Sequence, residues 1–358
     1  MSVRPFRPAL VLLLGALLPG KGAGAGPLGD ETGPCAGADR ALRAVGEALD
    51  IGQWAEAERL LAPLSASGAD CSRVMLGRAR LRAAQGDTAE AERLFARATE
   101  MAPTDALAHA FFARYWLSRG QPARADHLSA LALALDPDCP EALVVRGRIL
   151  RGKGLISEAR EAFEHATRLD AANAEAAYQL GIWLFNGRFY QEAVGRFETV
   201  VARRPGDARA HDYLASSLEG LGEAERAEAA YHEALKVNEG PFFDPLLDGN
   251  YGRFLLKQGR LEESRSHLDR AVSRLPERRG PHYERAKLNL ARKDYAAARR
   301  DAERALRLPD PGGLVVDVQV YYLLATVYAR LGESELAEKY AELARRTPIP
   351  DQTADRPR

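Results

Sequence analysis

The chain has 358 residues, and its 50 lysines and arginines balance its 50 aspartates and glutamates, so the formal net charge is zero. Apolar residues make up 46% of the chain, too many for a disordered protein, and the balanced charge argues against a nucleic-acid binder. Three cysteines exclude a disulfide-dense mini-scaffold. The length suggests two domains or one long repeat array.

The N-terminus has the pattern of a secretory signal peptide. Basic residues precede a short apolar run, 9–18, which is about half as long as a bilayer span. Small residues follow, so we predict a signal peptide over 1–25, cut after Ala25, and then a linker over 26–37. An uncleaved anchor is the alternative. No other apolar stretch approaches membrane length, so the mature chain is expected to have no membrane span and to be secreted or periplasmic.

The rest of the chain repeats every 34 residues. Gly86, Gly120 and Gly154 show this spacing, and so do five alanines between Ala91 and Ala227. Three residues intervene before the seventh unit and five before the ninth. The spacing predicts nine units, which cover 38–71, 72–105, 106–139, 140–173, 174–207, 208–241, 245–278, 279–312 and 318–351.

Each unit has the pattern of two helices joined by a short turn. Apolar residues recur at helical spacing, and glycine at unit position 15 favours a left-handed residue after the first helix. Proline often follows the second helix, and Asp105, Asn173 and Asp207 are predicted to cap the helix that comes next. Small residues at positions 8 and 20 predict a close helix crossing, with a larger side chain at position 24. Val45 is the exception at position 8.

This pattern resembles the tetratricopeptide repeat (TPR) family. The third unit carries the signature well, with Ala113, Trp116, Gly120, Ala125 and Pro137 in place. The resemblance implies an all-α, right-handed α-solenoid superhelix over 38–346, followed by a disordered tail over 347–358. It also implies that the first helices line a concave wall, which in this family usually binds peptides or helices.

No catalytic motif, cofactor site or metal site is recognisable, so we expect no enzyme activity. His109, His211 and His282 share unit position 4 on three different first helices, and we interpret them as partly buried packing residues rather than metal ligands. Basic residues alternate with acids along the chain, so nucleic acid is not an expected partner.

The predicted groove holds one basic series. Position 9 faces the concave wall in the family, and Arg80, Arg114 and Arg148 occupy it in three successive units. We predict that this ladder binds an acidic or carboxylate-bearing partner, because guanidinium groups pair bidentately with carboxylates. Nearby aromatic residues are expected to add apolar contact; they are Phe111, Tyr178 and Tyr213. The alternative is that the arginines simply pair with groove acids such as Glu141 and Glu175.

The cysteines suggest one disulfide. Cys35 precedes the first helix of unit one and Cys71 follows its second helix, and a helical hairpin brings its outer ends together. An oxidising compartment would permit this bond, so we predict a Cys35–Cys71 pair with Cys139 unpaired. Three separate thiols are the alternative.

The sequence therefore indicates an extracytoplasmic TPR scaffold that binds a protein or peptide partner through its groove. A periplasmic assembly subunit of a polysaccharide-export or outer-membrane complex is the alternative, and it rests on analogy between folds alone.

Overall fold

The computed structural model describes residues 39–66, 71–310 and 315–348. In those ranges the chain forms eighteen α-helices, one 3₁₀ turn and no strand. The helices are α1 (Asp39–Asp50), α2 (Trp54–Ala66), α3 (Ser72–Ala84), α4 (Thr88–Met101), α5 (Ala106–Ser118), α6 (Pro122–Leu135), α7 (Pro140–Gly152), α8 (Ile156–Leu169), α9 (Ala174–Asn186), α10 (Tyr190–Arg203), α11 (Ala208–Leu221), α12 (Ala224–Lys236), α13 (Leu247–Lys257), α14 (Leu261–Arg274), α15 (Arg279–Ala291), α16 (Tyr295–Arg307), α17 (Asp317–Leu331) and α18 (Ser334–Arg346).

The helices pack as nine successive hairpins. Each odd-numbered helix packs against the even-numbered helix that follows it, and each hairpin packs against the next one. First helices also contact first helices of neighbouring units, for example α5 with α7 and α13 with α15. The predicted all-helical solenoid of nine helix pairs is therefore confirmed.

The turn inside every hairpin uses the same left-handed residue at unit position 15. Seven units place glycine there, with φ between 69° at Gly120 and 83° at Gly86. Arg188 and Lys293 occupy the position in units five and eight, with φ of 65° and 63°. The nine predicted units therefore all have the same turn at position 15, although residues other than glycine are strained in that conformation.

The predicted helix caps are present. The Asp105 carboxylate accepts hydrogen bonds from the amides of Leu107 and Ala108, and the Asn173 side chain accepts one from Ala176. Asp207 caps α11 in the same way. These bonds satisfy amides that the first helical turn leaves without partners.

Small residues at the crossing of each hairpin leave room for one large side chain. A Cβ atom placed on Gly147 would lie 2.6 Å from the Phe163 ring, and one on Gly181 would lie 2.9 Å from the Phe197 ring. The exception in the first unit is resolved by a neighbour. Val45 is buried, and a Cβ on Gly77 would lie 3.4 Å from its Cγ1 atom. Gly77 thus provides the space that a small residue provides elsewhere.

Several predictions fall partly or wholly outside the described residues. The signal peptide, the linker, Cys35 and the tail beyond residue 348 lie there, so their assignments stay predictions. Cys71 is disulfide-bonded, Cys139 is a free and buried thiol, and the Cys35–Cys71 pairing stays a prediction. Among the described helices, none combines the length and the apolar character that crossing a membrane requires.

Replacing Gly147 with Ala should destabilise the protein. The new methyl group would meet the buried Phe163 ring, and overpacking of this kind costs about 1–3 kcal/mol. Gly195→Ala is the matched control, because Gly195 lies inside α10 with no other atom near its Cβ direction. That change should stabilise the helix by roughly 0.5–1 kcal/mol. Urea unfolding monitored by circular dichroism measures both, and equal effects would contradict the close crossing.

Replacing Lys293 with Gly should stabilise the eighth unit. The change removes the strain of a left-handed lysine, partly offset by the greater backbone entropy of glycine in the unfolded chain, so we expect a gain of about 0.5–1 kcal/mol. Amide hydrogen exchange in α15 and α16 should slow. Lys293→Ala keeps the strain and should not slow it.

Candidate functional site

The inner wall of the solenoid holds two adjoining cavities. One has a volume of about 450 Å³ and the other about 340 Å³. Asp50, Arg114, Glu175 and Arg204 line both of them, so the two cavities adjoin, and we call the pair the central groove. First helices of five units contribute to it, from α1 to α9, because successive inner helices face the same side of the solenoid.

Arg80 and Arg114 enclose the Phe111 ring. The Arg80 guanidinium lies 4.1 Å from the ring centroid and that of Arg114 lies 4.7 Å from it. Arg80 also pairs with Asp50 at 2.6 Å, and Arg114 pairs with Glu141 at 2.9 Å. Phe111 is itself buried, so it packs between arginines and offers a partner little free surface. The expectation that it adds apolar contact for a peptide is therefore not supported by its position.

Arg148 lies further along the groove and is held more loosely. Its guanidinium is 4.0 Å from the Glu175 carboxylate, which also pairs with Arg204 at 3.4 Å and accepts a hydrogen bond from Gln179 at 2.8 Å. Arg151 donates to the side chain of the same Gln179. The structure thus brings the three predicted arginines into one groove, each beside an acid.

The groove is neutral overall. Its lining contains five arginines and five acids, which cancel; they are Arg80, Arg114, Arg148, Arg203 and Arg204 on one side and Glu47, Asp50, Glu141, Asp170 and Glu175 on the other. The pairing with Glu141 and Glu175 that the sequence left open as an alternative is present. The role of the arginines in binding a partner stays a prediction.

The pKa values follow from burial and from these pairs. Burial lowers the pKa of Arg80 more than Asp50 raises it. Burial also opposes the charged form of Arg114, but Glu141 and Asp50 outweigh it and the pKa rises. Burial raises the pKa of Glu175, yet Arg204 and Arg148 bring it below the ordinary value. Neighbouring charges therefore outweigh burial at Arg114 and Glu175 but not at Arg80.

Tyr178 and Tyr213 belong to an aromatic cluster at the next units. Their ring centroids are 5.9 Å apart, and Tyr213 also stacks on the buried Phe197 ring at 5.2 Å. Phe185 lies 5.4 Å from Tyr213. Burial raises the pKa of both tyrosines. These rings are half-buried, and neither lines the two cavities of the central groove.

A loop between units six and seven enters the groove. The three residues that interrupt the 34-residue spacing belong to a longer segment, 238–246, which we call the insert loop; its tip is the 3₁₀ turn Gly240–Phe242. The Phe242 ring lies between the guanidinium groups of Arg204 and Arg209, at 5.5 and 5.2 Å. The sequence showed the interruption of the repeat but not where the loop lies.

The tip of the insert loop reaches the first unit. A Cβ placed on Gly52 would lie 2.7 Å from Pro241 Cγ and 3.7 Å from Phe242 Cε2. Residues that are far apart in sequence thus meet because the solenoid curves through a turn of its superhelix. At the base of the loop, the Asn238 amide donates to the Asp244 carbonyl at 3.0 Å, and its oxygen accepts from the Asp244 amide at 2.6 Å.

Asp244 also approaches a buried carboxyl group of α11. Burial and then the charge of Asp244 raise the pKa of Asp212 well above its ordinary value, although Asn250 and Arg253 act in the opposite direction. Burial raises the pKa of Asp244 as well. Two buried carboxyl groups near each other resist ionising together, which is why burial and the neighbouring carboxylate both act to raise the pKa of Asp212. Asn250 donates to Asp212 at 2.7 Å, which commits it within the chain.

The three histidines at unit position 4 share one contact. The Nε2 atoms of His109, His211 and His282 each donate to the carbonyl oxygen of the proline six residues earlier, at 2.9–3.0 Å. Each imidazole is therefore held by a backbone carbonyl at the end of the preceding unit. In the part of the chain that the structure describes, no group of three or more His, Cys, Asp or Glu residues could hold a metal ion.

The helical hairpins and the concave groove define an α-solenoid of the repeat-scaffold class. Tetratricopeptide repeat family models match residues 42–106, 82–149, 140–173, 178–242, 214–282, 250–313 and 283–351. The chain therefore belongs to the tetratricopeptide repeat family. None of the curated proteins compared with it matches.

Solved structures share the fold at low sequence identity. The chain of the anaphase-promoting-complex hetero-tetramer Cut9–Hcn1 that matches is 17% identical, with a TM-score of 0.60; the match covers 84% of this chain and 58% of that one. A monomeric mutant of IFIT1 with Gppp-AAAA is 18% identical, with a TM-score of 0.52, and the match covers 87% and 70%. At these identities the likeness shows the fold alone.

Replacing Asp212 with Asn should flatten the dependence of stability on pH. Because the pKa of Asp212 is raised in the folded chain, its contribution is fully present below about 3.9 and is lost as pH rises through the folded value. Asn has nearly the same shape as a protonated Asp but does not ionise. When the pH is raised, the urea midpoint of the variant should therefore fall less than that of the wild type. Equal pH slopes would contradict the shift. The groups facing Asp212 are Asp244, Arg253, Tyr213, Tyr231 and Asn250.

Asp301→Asn is the control of opposite sign. Burial raises the pKa of Asp301, but His282 and Arg285 lower it below the ordinary value. Its contribution to the stability of the folded chain is present above the ordinary pKa and is lost as pH falls. In the Asn variant, the free energy of unfolding should therefore fall less at acidic pH than in the wild type. Its change at alkaline pH should stay the same.

Proposed function

We propose that the protein is an extracytoplasmic, non-catalytic scaffold that binds a protein or peptide partner in the central groove. The observation that carries this proposal is the groove itself, two adjoining cavities lined by side chains that neighbouring helices hold in place. Side chains fixed before a partner arrives lose little entropy when it binds.

The pattern of ion pairs supports a groove that is organised in advance. Asp50 of α1 pairs with Arg80 of α3, Arg114 of α5 pairs with Glu141 of α7, and Arg148 of α7 lies beside Glu175 of α9. Each of these contacts joins the inner helices of two adjacent units. The network therefore fixes both the side chains and the relative positions of the helices that carry them.

Arg148 is the most exposed of the three ladder arginines. Its side chain is 28% exposed, and in the described ranges its only ion pair is the 4.0 Å contact with Glu175, which Arg204 shares. A carboxylate from a partner can displace this loose contact and form a bidentate pair. The neutral lining lacks the excess positive charge that phosphate backbones require, so we propose a protein or peptide partner rather than nucleic acid.

The extracytoplasmic setting is supported by the basic, apolar and small residues of the segment 1–25. Mature protein recovered from the native host should begin at Gly26 on N-terminal sequencing. Protein that retains Met1 and fractionates with the cytoplasm would contradict export. A polysaccharide-synthase or exporter operon around the gene would favour the assembly-subunit alternative.

Replacing Arg148 with Ala should weaken partner binding. A pull-down from the envelope fraction with the wild-type protein identifies the partner, and titration then compares the variants. Loss of one hydrogen-bonded charge contact of about 1.5–3 kcal/mol should raise the Kd about tenfold or more and reduce its dependence on salt.

Arg93→Ala is the matched control for this measurement. Arg93 lies on α4, is 75% exposed and pairs with Glu90 on its own helix, outside the groove. Its replacement should leave both helicity and binding unchanged. If both variants bind like the wild type, the partner does not use the groove near Arg148.

A further inference from the structure

We propose that the insert loop is an internal competitor for the central groove, with Phe242 filling a slot that accepts an aromatic side chain of the partner. This inference rests on the proposed function, because it concerns what the same groove binds and how binding is regulated. The partner would be a protein segment that presents an aromatic ring, and its binding would displace the tip of the loop.

The slot has walls that do not depend on the loop. Arg204 is held by Glu175 at 3.4 Å, and Arg209 forms two contacts of 3.2 Å with Asp207. Arg209 also lies 5.5 Å from the Tyr178 ring centroid, so Tyr178 borders the slot. Both guanidinium groups therefore stay in place when the Phe242 ring leaves, and each presents a face to an aromatic ring.

The groove contains a second arrangement of the same kind. Phe111 lies between Arg80 and Arg114 just as Phe242 lies between Arg204 and Arg209. The difference is the source of the ring. Phe111 is a buried residue of α5, whereas Phe242 is half-buried and belongs to a loop. The second ring can therefore leave without unfolding a helix.

The loop is fastened at its base and lightly held at its tip. Asn238 and Asp244 close the base through two hydrogen bonds, and the Asp244 carboxylate accepts one more from the Leu246 amide at 2.8 Å. At the tip, Pro241 is exposed, and its contact with Gly52 is a packing contact. The tip can move while α12 and α13 keep their positions, because the bonds at the base lie between it and both helices.

The position of the loop makes this movement relevant to binding. Phe242 lines the same cavity as Arg80, Arg114 and Arg148, so the tip occupies space that a segment lying along the groove would need. An aromatic residue of the partner would regain the contacts that Phe242 gives up. The loop thereby reduces binding of segments that lack a ring and selects those that have one.

The test uses the full mature chain, the variant Phe242→Ala and N-acetylphenylalaninamide as the probe. Probe binding is followed by the NMR signals of the arginine Nε–H groups. If the loop occupies the slot in most molecules, its removal should strengthen probe binding about tenfold. N-acetylleucinamide has an apolar side chain without a ring and should show no such gain.

Phe243→Ala is the matched control variant. Phe243 is the next residue, is 39% exposed and lies over Arg274 rather than in the slot. It should bind the probe as weakly as the wild type does. In the double variant Phe242→Ala/Arg209→Gln, one wall is missing and the gain should disappear.

Two results would overturn the inference. One is equal probe binding by Phe242→Ala and the wild type. The other is a large loss of helicity or melting temperature in Phe242→Ala but not in Phe243→Ala, which would make the tip a structural strut between the insert loop and the first unit. A partner whose binding depends on Arg148 would still support the proposed function in either case.

Discussion

The close approach of the two helices in each unit is the constraint on which the rest of the structure depends. Gly147 and Gly181 leave room for Phe163 and Phe197, and a Cβ atom at these positions would lie 2.6 Å and 2.9 Å from the two rings. Nine hairpins of similar geometry add up to a curved array. The curvature places the turn at Gly52 against Pro241, so the crossings also set the dimensions of the groove and the reach of the insert loop.

Burial of arginine in the groove requires compensation, and the chain supplies it locally. A buried guanidinium without a partner would be costly, and here acids from adjacent inner helices offset part of the lost hydration. Asp50 pairs with Arg80, and Glu141 pairs with Arg114. Glu175 pairs with both Arg148 and Arg204. The consequence is a groove whose charges are fixed in position but sum to zero. Shape and the arrangement of charges, more than net charge, therefore determine what it accepts.

Features that repeat with the 34-residue period could be predicted from the sequence, whereas contacts between distant units could not. The turn at position 15 and the cap at Asp105 depend on neighbours within a few residues, so local chemistry defines them. The placement of Arg80 in the groove followed from register, but its pairing with Asp50 requires knowing how α1 faces α3. The position of Phe242 depends on the accumulated curvature of six units, which no local pattern encodes.

Arg204 belongs both to the ion pairs between neighbouring units and to the contact with the insert loop. It is 8% exposed, it shares Glu175 with Arg148, and it forms one wall of the slot that holds Phe242. A partner carboxylate that draws Arg148 away from Glu175 leaves that acid with Arg204 and the Gln179 amide. The tighter Glu175–Arg204 pair would then fix the slot wall more firmly at the moment when a partner ring needs it. The ladder of arginines and the aromatic slot therefore share one acid, so we expect a change at Arg148 to alter the surroundings of Arg204.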